Sequence, residues 1–144
     1  MLFRSSMGTL WSSALRDRNA DALFESSLPL NFSESWLKAN AGILEATRSR
    51  YHQMDLAAAE RLMLAFSEID FTEQLSNIAV PALVLVGDLD ILKPRKYAEI
   101  IAAQIPGAEL VIIPNAGHAV CLEQPAAFNS ALLGFVLKHC EVVA

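Results

Sequence analysis

Two short apolar runs constrain this chain most. Ala82-Leu83-Val84-Leu85-Val86 ends in Gly87, and Leu110-Val111-Ile112-Ile113 ends in Pro114. The first is short, unbroken and holds two β-branched residues, which predicts a strand buried on both faces. Between the runs, Pro94 stands near the start of a helical stretch with Tyr97, Ile100, Ile101 and Ile105 on one side, and Pro106-Gly107 stops it. A last helix is expected from about Pro125, with Phe128, Ala131, Leu132, Phe135 and Val136 at i, i+3, i+4, i+7 and i+8. Strand, helix, strand and helix with short connections predict two parallel strands joined by a crossover.

The preceding half reads differently. Five of the six prolines and four of the six glycines fall between Pro81 and Gly134. Gly and Pro punctuate short elements, so the architecture changes near residue 80. Phe3, Met7, Leu10, Trp11 and Ala14 lie on one helical face. Asn19 is placed to cap a second short helix with Leu23, Phe24 and Leu28, stopped near Pro29. Ser33 is placed to cap a third, with Glu34 in its first turn and Trp36, Leu37, Ile43 and Leu44 along it. Asp55 is placed to cap a fourth, with Leu56, Ala59, Met63 and Phe66 on one stripe. The expected organisation is a helical region over 1–75 and a βαβα region over 76–144, in the α/β class.

Composition narrows the function. Of 144 residues, 53% are hydrophobic and 19% charged, which does not suit a disordered chain. The net charge is −5, and the 11 basic residues do not cluster beyond Lys93-Pro94-Arg95-Lys96, so no nucleic-acid partner is expected. No apolar run has the length of a membrane span, and no secretion signal is read at the N-terminus. Two cysteines, Cys121 and Cys140, are too few for a disulfide framework. A cytoplasmic protein without membrane association is expected.

Ligand and catalytic groups of parallel sheets belong just past the carboxyl ends of the strands. Those places are Gly87-Asp88-Leu89-Asp90 and Asn115-Ala116-Gly117-His118. If the strands are adjacent, Asp90 and His118 emerge on one edge of the sheet. A carboxylate can then accept the imidazole Nδ1–H, fix the tautomer and leave Nε2 as a general base. Taken singly, Asp90 reads as a helix cap or loop acid and His118 as a backbone-satisfied loop histidine. Their joint position favours the functional pair.

These residues carry a resemblance. Residues 78–90, Ile-Ala-Val-Pro-Ala-Leu-Val-Leu-Val-Gly-Asp-Leu-Asp, followed by Pro94, resemble the late strand and acid turn of α/β-hydrolase-fold enzymes. Asn115-Ala116-Gly117-His118, followed by Leu122-Glu123-Gln124-Pro125 and Phe128, resembles the catalytic histidine loop and closing helix of that family. The match covers about residues 70–139. It implies Asp90 as triad acid and His118 as triad base, and it implies hydrolysis of an ester, lactone or related carbonyl with no cofactor. The helical first half is similar, in architecture alone, to the cap of many members.

The nucleophile is where the chain departs from the pattern. In the family the order is Ser, then acid, then His, with the serine in a Gly-x-Ser-x-Gly turn after an early strand. Ser6-Met7-Gly8 reproduces the second half of that turn, but Arg4 holds the place of the first glycine and no apolar strand precedes it. Ser6 is therefore read as a decoy, and no nucleophile is identified. By this resemblance the chain is the C-terminal half of the fold, expected to be inactive alone. A small apolar carbonyl compound is the substrate expected of the complete enzyme.

Weaker candidates fill in the rest. Cys121 lies three residues from His118, but its neighbours Val120 and Leu122 suggest a packed residue rather than a thiol nucleophile. His118, Cys121 and Glu123 are zinc-compatible types without a convincing ligand set, and Asp88 with Asp90 is thin for a hard cation, so no metal is expected. His52 and His139 read as surface residues near helix ends. Trp11, Phe24, Trp36, Met63 and Phe66 read as helix-packing core. A two-stranded parallel sheet leaves an open edge, so a homodimer or association with a missing N-terminal half is expected. A free-standing binding or dimerisation module is the alternative to an enzyme part.

Overall fold

The computed structural model describes residues 8–140. These divide into two compact units. One comprises the residues up to Leu30 and Glu34–Phe71; the other comprises Asn31–Ser33 and the residues from Thr72 onward. Phe3 and Met7 of the expected first helical face lie outside the described residues.

The first unit is helical: α1 (Gly8–Arg16), α2 (Ala20–Asn31), α3 (Glu34–Ala39), α4 (Ala41–His52) and α5 (Leu56–Glu68). Two caps act as expected. Asn19 Oδ1 accepts the Ala22 N–H at 2.9 Å, and Asp55 Oδ1 accepts the Ala58 N–H at 2.9 Å, each satisfying an orphan donor of a first turn. Ala14, Leu15, Ala20, Leu23 and Leu56 form the buried core, with Trp11, Tyr51, Ala59 and Met63 packed against it.

Three expectations are corrected in this unit. Helix α2 runs through Pro29 to Asn31 instead of stopping at the proline. Pro29 sits in the last turn, where its missing N–H costs one bond and few residues remain to be distorted. The single helix expected after Ser33 is two, α3 and α4. Asn40 breaks it: its Nδ2 donates to the Trp36 carbonyl at 2.9 Å and its backbone sits at φ −122°, ψ 24°. A side-chain amide that competes for helix carbonyls favours such an interruption. Phe66 does not join the buried stripe of α5 and is 55% exposed.

The second unit holds β1 (Leu83–Gly87), α6 (Arg95–Gln104), β2 (Glu109–Ile113), α7 (Val120–Glu123) and α8 (Pro125–His139), after a 3-10 turn at Thr72–Asn77. The strands pair in parallel, in register from Leu83 opposite Glu109 to Gly87 opposite Ile113. Helix α6 forms the crossover, as expected. Ile113, Ala116 and Val120 make the core of this unit, with Leu85, Val111, Ala127 and Phe128 around them. The strands are not buried on both faces: in β1 only Val86 and Gly87 are buried, and in β2 only Ile113. Two strands and the helices beside them do not cover both faces of a sheet.

Gly87 has a steric reason to be glycine. A Cβ there would lie 2.1 Å from the Ala116 carbonyl oxygen and 2.4 Å from that of Gly117. The end of β1 thus touches the backbone of the loop that follows β2, and that contact brings the two candidate residues within reach.

Candidate functional site

Both candidate loops leave the same end of the sheet and are joined by backbone hydrogen bonds. Asp88 N–H donates to the Ile113 carbonyl at 3.0 Å, and Leu89 N–H donates to the Ala116 carbonyl at 2.9 Å. In return, Asp88 Oδ1 accepts the Ala116 N–H at 3.4 Å. Asp88 is therefore engaged in holding the loops together. Asn115 turns the chain after β2 with φ +56°, a conformation that asparagine tolerates better than most residues.

On this frame Asp90 Oδ2 lies 2.8 Å from His118 Nδ1. Asp90 Oδ1 accepts the Lys93 backbone N–H at 2.7 Å, which fixes the carboxylate plane. The Asp90 side chain is 3% exposed and that of His118 39%. An ionised carboxylate can only accept, so a neutral imidazole here carries its proton on Nδ1 and keeps a lone pair on Nε2. Among the described residues the imidazole has no other hydrogen-bond partner. Burial lowers the pKa of Lys93 from its ordinary value, and the charge of Asp90 acts in the opposite direction.

The other candidates fall elsewhere. Ser6 lies outside the described residues. Cys121 is exposed rather than packed, because the inward positions of α7 belong to Val120 and Glu123. No hydrogen bond links it to His118 among the described residues. Glu123 turns inward and bonds to Ser33 and Gly117. His52 closes α4 beside Asp21, and His139 closes α8 beside Glu109. No cluster of three or more metal-ligating side chains occurs among the described residues, and no helix there is long and apolar enough to cross a membrane.

The acid turn and histidine loop just described lie within a longer match: residues 3–125 fit the alpha/beta hydrolase fold. The chain belongs to the α/β-hydrolase-fold family. Among the relatives of this α/β-hydrolase chain is the "Putative carbamate hydrolase RutD" of Caulobacter sp. (strain K31). It is 33% identical over 109 residues, 73% of this chain and 40% of the relative. The pimeloyl-[acyl-carrier protein] methyl ester esterase of Pectobacterium carotovorum subsp. carotovorum (strain PC1) is 40% identical over 68 residues, 47% of this chain and 27% of the relative. The crystal structure of the enol-lactonase from Burkholderia xenovorans LB400 aligns with a TM-score of 0.82 at 24% identity, over 88% of this chain and 48% of that one, a likeness of fold. The chain spans about two fifths of the length of the curated relatives it matches over most of its own sequence.

Proposed function

We propose that this chain supplies the acid and base of a hydrolase that cleaves a small apolar ester, lactone or related carbonyl compound by a Ser-His-Asp mechanism. The 2.8 Å contact between Asp90 Oδ2 and His118 Nδ1 carries the reading. His118 Nε2 takes the proton of an attacking serine and returns it to the leaving group, and Asp90 orients the imidazole and stabilises its charged form. The serine and the oxyanion donors come from outside the described residues. The esterase, lactonase and carbamate hydrolase named above support carbonyl hydrolysis as the reaction class.

By this reading the 144 residues alone are inactive, because a base without a nucleophile and oxyanion hole has no acyl transfer to assist. The test is a fluorophosphonate serine probe, run with an ester assay on the purified chain. Neither labelling nor turnover is expected. Esterase activity that follows the chain through purification and disappears in Ser6→Ala would overturn the reading.

The alternative of a dimerising module draws on a different observation. Among the described residues each strand is paired on one side only. Helix α8 exposes Leu132, Leu133, Val136 and Leu137 as one apolar stripe. Open edges and apolar stripes favour association, and a homodimer is the form proposed for the isolated chain. Sedimentation at micromolar concentration is expected to show a dimer that Leu133→Glu weakens. A monomer at that concentration would remove the proposal.

A further inference from the structure

Glu123 is a buried carboxylate, 8% exposed, that the proposed reaction does not use. Its Oε1 accepts the Gly117 N–H at 2.9 Å and the Ser33 N–H at 3.1 Å, while Oε2 accepts the Ser33 hydroxyl. Gly117 immediately precedes His118. On the other side of the histidine, the Ala119 N–H donates to the Asn31 carbonyl at 2.7 Å. The N–H groups of both residues that neighbour His118 are therefore held by groups outside the Asp90–His118 pair. The fit is close: a Cβ on Gly117 would lie 2.8 Å from Glu123 Oε1 and 2.9 Å from the Ser33 nitrogen.

We infer that Glu123 is a positioning residue for His118, holding the histidine loop against Asn31–Ser33 so that Nδ1 meets Asp90. The inference rests on the reading of Asp90 and His118 as acid and base. The energetic reason is that a buried carboxylate is tolerated where several donors converge on it, and removing it strands those donors. Hydrogen bonds to an ionised acceptor are also the stronger kind, which suits a clamp. Glutamine at 123 can keep all the contacts: its Oε1 takes the two backbone amides, and its Nε2 donates to Ser33 Oγ, which switches from donor to acceptor. Alanine keeps none of them.

The test uses the full 144-residue chain, labelled with nitrogen-15. Its readout is the downfield Nδ1–H proton resonance of His118, a signature of the bond to Asp90 that needs no turnover. Asp90→Ala assigns the resonance by abolishing it. Glu123→Ala is expected to lose the resonance to exchange, Ser33→Ala to weaken it, and Glu123→Gln to retain it. Ile105→Ala, a cavity in the same unit away from the loop, is expected to lower the melting temperature and leave the resonance in place. If Glu123→Ala does not fold, Ser33→Ala against Glu123→Gln carries the comparison. An unchanged resonance in Glu123→Ala, or in Ser33→Ala where that variant carries the comparison, overturns the inference. So does equal loss in Ile105→Ala. An Nδ1–H resonance unaffected by Asp90→Ala would instead show that the pair does not exist in solution, and the functional reading would fail with it.

Discussion

Asp90 and His118 share a 2.8 Å hydrogen bond, yet the acid side chain is 3% exposed and the imidazole 39%. Both substitutions should therefore cost stability, for different reasons. Asp90→Ala strands the Lys93 N–H and leaves the His118 Nδ1–H without its acceptor, and should cost about 1–3 kcal/mol. His118→Ala leaves a buried carboxylate oxygen without its partner, and should also cost about 1–3 kcal/mol although the ring itself is more exposed. Urea unfolding of the two variants side by side checks both costs. A negligible cost for His118→Ala would mean that the acid is not held as the structure has it.

Gly87→Ala tests the close approach that brings the loops together. The added methyl meets two backbone carbonyl oxygens, and backbone cannot swing aside as a flexible side chain can. Overpacking of this kind costs on the order of 1–3 kcal/mol and occasionally more. Amide exchange at Asp88 and Leu89, whose N–H groups donate across to Ile113 and Ala116, is expected to rise more than exchange in α6. A uniform rise across the unit would show that the methyl destabilises without displacing the loop.

The helical unit offers a contrast between Leu15, which the expected helical face left out, and Phe66, which the pattern placed in the core. Leu15 is 2% exposed in the core, and Phe66 is 55% exposed. Leu15→Ala should lose about 2–5 kcal/mol. Phe66→Ser should cost clearly less than Leu15→Ala, because more than half of the ring is already in water. Chemical denaturation separates these values easily, and a large cost at Phe66 would show that its ring is covered in solution.

The legible features were the local ones. β1, β2, α6 and α8 follow from short apolar runs and from punctuation by Gly87, Pro94, Pro106-Gly107, Pro114 and Pro125. Asp90 and His118 could be singled out because residues just past parallel strands must emerge at one end of the sheet. The corrections arose where a contact distant in sequence, or a competing local bond, decided the outcome. Asn40 splits a helix through a side-chain bond that periodicity does not encode. Glu123 and Cys121 differ by two positions in one short turn, and only the donors of Ser33 and Gly117 determine that the acid faces inward. β1 reads as a doubly buried strand, but its cover depends on what lies beside it, which composition does not reveal.

Glu109 gives a pH dependence whose sign can be worked out. It stands at the start of β2, where its Oε1 lies 2.7 Å from His139 Nε2 and 2.9 Å from Lys138 Nζ at the end of α8. The bond to His139, followed by that to Lys138, lowers the Glu109 pKa below its ordinary value of 4.5. A carboxylate depressed in the folded state stabilises above its unfolded pKa, and that stabilisation is lost as the pH falls through the folded value. The gap in melting temperature between the parent and Glu109→Gln should therefore be full at pH 6. It should begin to narrow as the pH falls to 4.5 and close below the depressed value. Because the group is at the surface, high salt should shrink the gap throughout. A gap that persists unchanged to the acid limit would mean that glutamine is penalised for shape or propensity, and that the contacts to His139 and Lys138 do not tie α8 to β2 through charge.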